Sequence, residues 1–387
     1  MDLPPDSPTA LRRYTCQLKR EHGKEICLTG CAARSHGVFE YVRVEAPGDL
    51  PPAEPEAVDV AVLDMNHMWP NLGHDSLVHA VQDAACDLIP VLEPAGLRVR
   101  VLSFEVRKRL MLPEGPGGRF ALYVGTGGPG HLDPRANDGA GPGSQGIRED
   151  PAWEEPLFAL FDAILESPDA ALVAVCHSFG VMCRWSGVAR PVLRSQEKGG
   201  KSAGVLENFL TPEALGHPWF GRLAREMPDR RRIRVVDHRL FDLVPDETSL
   251  ARVTPIGYET YGIDGPPGEA LTMVEWARDR AGIMPRVFAV NHHPEIVDRT
   301  RQVLVLREKL ARGEVSDAWA EERERIMTAT YPDDARDHRL HLTSDYTLMG
   351  PMRFHLARAL RRRSESLGRP MRLHEDAIPA AVPALAG

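Results

Sequence analysis

The stretch "ALVAVCHSFG", residues 171–180, decides how the rest of the chain is read. Its first five residues are apolar without polar alternation, the pattern of a short strand covered on both faces. The residues after Cys176, "HSFGVMCRWSGVA", can start a helix, so the stretch is predicted to run strand, tight turn, helix. That succession is the unit from which a sheet with helices on both faces is built. The turn also carries two nucleophiles two residues apart, the Cys176 thiol and the Ser178 hydroxyl.

The alternation extends outward. "VDVAVLDM" (58–65), "RVRVLSF" (98–104), "RFALYVGTGGPG" (119–130), "RIRVVDH" (232–238) and "PRVFAVNHH" (285–293) read as further strands. "SLVHAVQDAACDLIPVLEPAG" (76–96) and "EPLFALFDAILESPD" (155–169) read as the helices between them. The expectation is an α/β fold, a three-layer αβα sandwich with a mainly parallel sheet. In such sheets, ligand sites gather at the carboxyl ends of strands.

Both ends of the chain read differently. Residues 1–57 form an expected N-terminal appendage and linker, closing in the Pro-rich "EAPGDLPPAEPEAVD". A small β-hairpin is expected within it, where Cys16, Cys27, Cys31 and His36 match no zinc spacing. Residues 300–387 form a helical C-terminal extension, with "IVDRTRQVLVLREKLARG", "SDAWAEERERIMTATY" and "GPMRFHLARALRRRSES" as amphipathic helices that pack on the core or on a partner subunit. The domain between them spans 58–299. "ANDGAGPGSQG" (136–146) reads as a flexible loop, conceivably a lid.

The 387 residues carry a net charge of −8, which argues against a nucleic-acid partner. No apolar run approaches the ~18 residues of a membrane span, and no secretory signal opens the chain. Six cysteines without an export signal suit a reducing cytoplasm. No pattern calls for a metal or a cofactor; "GGKSAG" (199–204) lacks the spacing of a phosphate-binding loop.

A cysteine attacks as thiolate, which a nearby base and a helix N-terminus favour. Cys176 meets the second condition by its place before a helix. The base can come from "NHHPE" (291–295) at the end of another strand. His293 and Glu295, two residues apart, point to one side, so the carboxylate can orient the imidazole. His292 points away. The glycines of "TGGPG" (126–130) let backbone N–H groups face developing charge, and Gly128 with His177 would supply an oxyanion hole. Asn66, His67, Trp69 and Asn71 after the first strand could line the pocket mouth, as could His131 and Asp133. His238 and Asp242 read as loop caps, and Cys183 as helix packing. A serine mechanism stays open: Ser178 would attack, with Asp242 or Asp264 as its acid.

Taken together, T-G-G-P-G (126–130), A-V-C-H-S-F-G (174–180) and N-H-H-P-E (291–295) resemble the class I, triad-type glutamine amidotransferase-like family, over about residues 58–299. The resemblance implies a flavodoxin-like parallel sheet. It implies Cys176 as nucleophile, His293 as base, Glu295 as its orienter, and Gly128 and His177 as oxyanion donors. It also implies a thioester acyl-enzyme that releases ammonia from a small amide, with a separate ammonia-accepting synthetase as partner and a homo-oligomer as one assembly. Three positions depart from the family's pattern: Gly180 and Asn291 replace glutamines, and Ser178 replaces a glycine. The first two, with Ser178, are where substrate contacts would differ. One alternative is therefore a hydrolase or acyltransferase of a biosynthetic pathway acting on a non-glutamine amide or ester. The other is a non-catalytic binding or scaffolding homologue.

Overall fold

Along β2 (Ala57–Asp64) every residue is buried, and its side chains alternate between two apolar clusters. Val58, Val60 and Val62 face one cluster, while Ala61 and Leu63 face the other. This two-sided burial is why the run is continuously apolar. It also places β2 in the interior of a large sheet with helices on both faces. A computed structural model describes residues 37–195, 200–261, 264–311, 313–330 and 338–369.

The sheet has twelve strands: β1 (Phe39–Val44), β2, β3 (Arg98–Glu105), β4 (Phe120–Gly125), β5 (Ala171–Val175), β6 (Ala189–Leu193), β7 (Gly204–Leu210), β8 (Arg232–Asp237), β9 (Phe241–Pro245), β10 (Thr254–Thr260), β11 (Pro267–Arg278) and β12 (Pro285–Val290). Their order is β1-β3-β2-β4-β5-β12-β11-β10-β7-β8, with β9 joining β11 to β6. The pairings from β1 through β5 to β12 are all parallel. The pairings among β6 to β12 are all antiparallel. The expectation of a mainly parallel sheet is thus corrected to a mixed one. Strands of the antiparallel half are partly exposed and polar, as in "GVLENFL" of β7, so they lack the continuous apolar signal.

Helices α1 (Leu72–Asp87) and α6 (Gly350–Ser366) cover one face; α2 (Glu154–Glu166) and α3 (His177–Ser186) cover the other. The helix expected over 76–96 breaks at Leu88, with Pro90 opening a second short helix, Ile89–Ala95. Met352, Leu356 and Leu360 of α6 belong to the first cluster, so this part of the C-terminal extension completes the sheet's covering. β1 lies in the stretch set apart as an appendage, yet it pairs in register with β3 along Phe39–Val44. The proposed boundary at residue 57 therefore runs through one sheet. The hairpin expected around Cys16, Cys27, Cys31 and His36 lies outside the described residues.

Helices α4 (Arg299–Ala311) and α5 (Asp317–Thr330) form a third apolar cluster with Val236 of β8 and Val297. That cluster seats them beside the carboxyl ends of β5, β8 and β12. Among the described residues no helix is long and apolar enough to cross a membrane.

Candidate active site

Cys176 follows β5 and caps α3 with φ 50° and ψ −107°, a conformation that L-residues rarely adopt. Strain of this kind costs about 1–3 kcal/mol and persists only where the surroundings enforce it. Here they do: its N–H donates to the Val290 carbonyl of β12 at 2.7 Å, and its carbonyl accepts from Gly180 N–H at 3.1 Å. The kink lifts the thiol out of the sheet at the N-terminus of α3, where the helix dipole favours a thiolate.

His293 stands opposite, on the segment leaving β12. Its backbone N–H donates to Val236 of β8 at 2.8 Å, and Nδ1 donates to Glu295 Oε1 at 2.7 Å. The imidazole also shares the space over Gly127 with the Cys176 thiol and is coupled to it electrostatically. Burial works against an imidazolium, but the Cys176 and Glu295 charges outweigh it and hold His293 well above the ordinary histidine value. Glu295 is buried beneath it. The structure thus places His293 between its partner Glu295 and the neighbouring Cys176 thiol.

Ser178 is elsewhere. Its hydroxyl is buried at the foot of α3 and donates to the Thr126 carbonyl at 2.7 Å, and its N–H bonds to the same oxygen. Asp242 is ion-paired to Arg194 at 2.5 Å and to Arg239 at 3.3 Å, while Asp264 is exposed and binds Glu207 through its N–H. Neither acid reaches His293, whose carboxylate is Glu295. The geometry favours the thiol.

The glycine turn after β4 is pinned from three sides. Thr126 Oγ1 accepts from Met65 N–H and donates to the Gly127 carbonyl. Arg107 donates to the Met65 and Pro129 carbonyls at 2.8 and 2.6 Å and is itself paired with buried Glu149 at 2.5 Å. Gly128 packs so closely on the Met65 carbonyl that a side chain there would overlap it. His177 is buried with its ring Nε2 unpartnered; burial, then the Arg107 charge, holds its value well below that of an ordinary histidine.

Cys176, His177, Gly128, His293 and Asn291 all open onto one cleft of about 280 Å³. Asn291 is buried with Nδ2 unpartnered there. Of the expected substrate contacts, Asn66, His67, His131, Asp133 and Ser178 do not line the cleft. Asn66 is buried against Asp64, donating from both N–H and Nδ2 to its Oδ1. His131 accepts the Asp133 N–H at 2.9 Å and packs edge-on against Phe241. Both serve loop structure. Trp69 and Asn71 do line the cleft, and Asn71 also caps α1. The 136–146 loop is tied down, with Asn137 bonded to His131 and Glu149 and Gln145 to Gly130. Cys183 is buried in α3.

No protein-family model and no curated protein matches the chain. Two solved structures similar to it are glutamine amidotransferases. One, from Thermotoga maritima, is 14% identical with a TM-score of 0.37, covering 80% of this chain and 98% of its own. The other, from Methylobacillus flagellatus, is 12% identical with a TM-score of 0.39, covering 82% and 97%.

Several residues of the cleft had no signal in the sequence. Leu132 fills the space beside Gly180; a side chain added at Gly180 would meet its Cδ2 at 2.7 Å. Lys201 was set aside with "GGKSAG", and Gln302, Trp319, Arg323 and Met327 with packing helices. His238, read as a loop cap, lines the cleft edge-on to His293 at 6.4 Å. Burial, then the charges of Lys201, His293 and Arg323, hold it down at about 3, so it is neutral at pH 7. Among the described residues no group of three or more His, Cys, Asp and Glu is arranged to hold a metal ion.

Proposed function

We propose that the protein is a cysteine-dependent acyl-transfer hydrolase, an amidohydrolase of the glutamine amidotransferase type. One observation carries the reading: His293, hydrogen-bonded to buried Glu295, stands beside the thiol of the strained elbow residue Cys176 and is coupled to it electrostatically. In the reaction, the Cys176 thiolate attacks the substrate carbonyl. The oxyanion is held by the Gly128 and His177 N–H groups. The imidazolium of His293 passes its proton to the leaving nitrogen or oxygen as that bond to the acyl carbon breaks. Water, deprotonated by the neutral imidazole, then attacks the thioester and restores the thiol. Glu295 holds the ring in place through both steps. Where the leaving group is ammonia, its acceptor would be a separate synthetase. Leu132, which occupies the space beside Gly180, supports a donor other than glutamine.

The test is the alkylation rate of Cys176 by iodoacetamide at pH 6, read by peptide mass spectrometry in the native protein and in His293→Ala. Free thiols are almost wholly protonated there. Rapid labelling that collapses in the variant supports the reading. Slow labelling that the variant leaves unchanged removes it.

A further inference from the structure

The cleft holds a charge pattern that the attack on a carbonyl does not use. Lys201, just before β7, and Arg323, on α5, both line it. They act on each other electrostatically, Lys201 acts on Cys176, and both act on His238. Arg323 lies over the Trp319 ring at 5.1 Å, and its Nε is buried without a hydrogen-bond partner. No carboxylate is among the charges that act on Lys201. Arg239, the third cation of the cleft, differs: Asp237, Asp242 and Glu259 neutralise it.

The remaining lining sharpens the pattern. Among the described residues, no Asp or Glu lines the cleft. A concave site that presents two cations and has no carboxylate among its lining residues concentrates anions. A cation held against apolar side chains without a counter-charge is costly unless a ligand supplies one. An α-amino acid such as glutamine would bring an ammonium group as well as a carboxylate. That ammonium would meet two like charges and no lining carboxylate.

We propose that the acyl donor is a net anion without a free ammonium group, an amide or ester whose carboxylate end is held between Lys201 and Arg323. The C-terminal helices are then part of the substrate site, because α5 supplies one of its two cations. This proposal rests on Cys176 being the nucleophile.

Iodoacetate and iodoacetamide test it without knowledge of the substrate. Both alkylate a thiolate with loss of iodide, and they differ only in a carboxylate against a carboxamide. The iodoacetate-to-iodoacetamide rate ratio at Cys176 should exceed that of N-acetylcysteine by about tenfold or more and fall with added salt. Arg323→Gln should lower the ratio several-fold while leaving the iodoacetamide rate near native; Lys201→Gln should lower the ratio likewise while slowing both reagents, because Lys201 also acts on Cys176. Arg323→Lys should retain it, which separates charge from a packing effect. A native ratio equal to that of N-acetylcysteine, or a ratio unchanged in both glutamine variants, overturns the proposal while fast iodoacetamide labelling leaves the nucleophile intact. Slow labelling by both reagents in the native protein overturns the two readings together.

Discussion

Gly128→Ala separates the oxyanion site from the thiol beside it. The new methyl would overlap the Met65 carbonyl oxygen and stand 2.9 Å from its carbon, where carbon atoms normally rest about 3.5–4.0 Å apart. Met65 cannot yield easily, because its carbonyl accepts from Arg107 and its N–H is held by Thr126. The glycine turn must therefore move by about 1 Å, a displacement that can cost on the order of 10²-fold in rate. Loss of one oxyanion donor costs about 10²–10³-fold, or about 2.7–4 kcal/mol. The two estimates agree. The assay compares acylation of the enzyme by p-nitrophenyl acetate, which passes through an oxyanion, with alkylation by iodoacetamide, which does not. Acylation is expected to fall about 100- to 1000-fold while alkylation stays within a few-fold of native. Equal losses in both reactions, with the thermal midpoint unchanged, would refute the assignment of Gly128 to the oxyanion site.

Ser178→Ala should leave labelling of Cys176 unchanged and lower stability by about 0.5–1.5 kcal/mol, the cost of one hydrogen bond to Thr126, read by urea unfolding. Loss of acylation in that variant would restore the hydroxyl as nucleophile. Glu295→Gln removes a charge-assisted hydrogen bond of about 1.5–3 kcal/mol from His293 and should slow alkylation near neutral pH about 10- to 100-fold. Glutaramate, which is glutamine without its amino group, should release ammonia faster than glutamine does; the reverse order would contradict an ammonium-free donor. Stability should fall on acidification below pH 6.5. Burial holds His292 down at about 3 and His355 at about 4, so the unfolded chain takes up their protons first. Each contributes roughly 2 kcal/mol of loss between pH 6.5 and 5, on an unfolded value of about 6.5. His293, whose value is raised, stays protonated in the folded state while the unfolded chain is only about half protonated near pH 6.5, so it offsets a small part of that loss. Chemical denaturation at pH 7 and pH 5 measures the difference.

The parts legible in the sequence were those written in contiguous residues. β2, β4, β5 and β12 are buried on both faces, so each is an apolar run that announces itself. The elbow at Cys176 and the His293–Glu295 pair are likewise local, although the pair meets through the 3-10 turn Pro294–Ile296 beyond β12 and not through the strand alternation expected. Of the antiparallel half only β8 was legible, as "RIRVVDH"; β6, β7, β9, β10 and β11 were not, because they are less continuously buried and take their pairing from partners far along the chain.

Tertiary structure alone distinguished the surroundings of the thiol and the hydroxyl. Ser178 and Cys176 are two residues apart, but the acceptor that removes Ser178 from the cleft, the Thr126 carbonyl, follows a different strand. It also put Leu132 into the space beside Gly180, and brought Lys201 and Arg323 to one cleft from separate elements. A charge on an amphipathic helix looks the same in sequence whether it faces water or a substrate. Only packing α4 and α5 onto Val236 and Val297 turns the Arg323 edge of that helix toward Cys176.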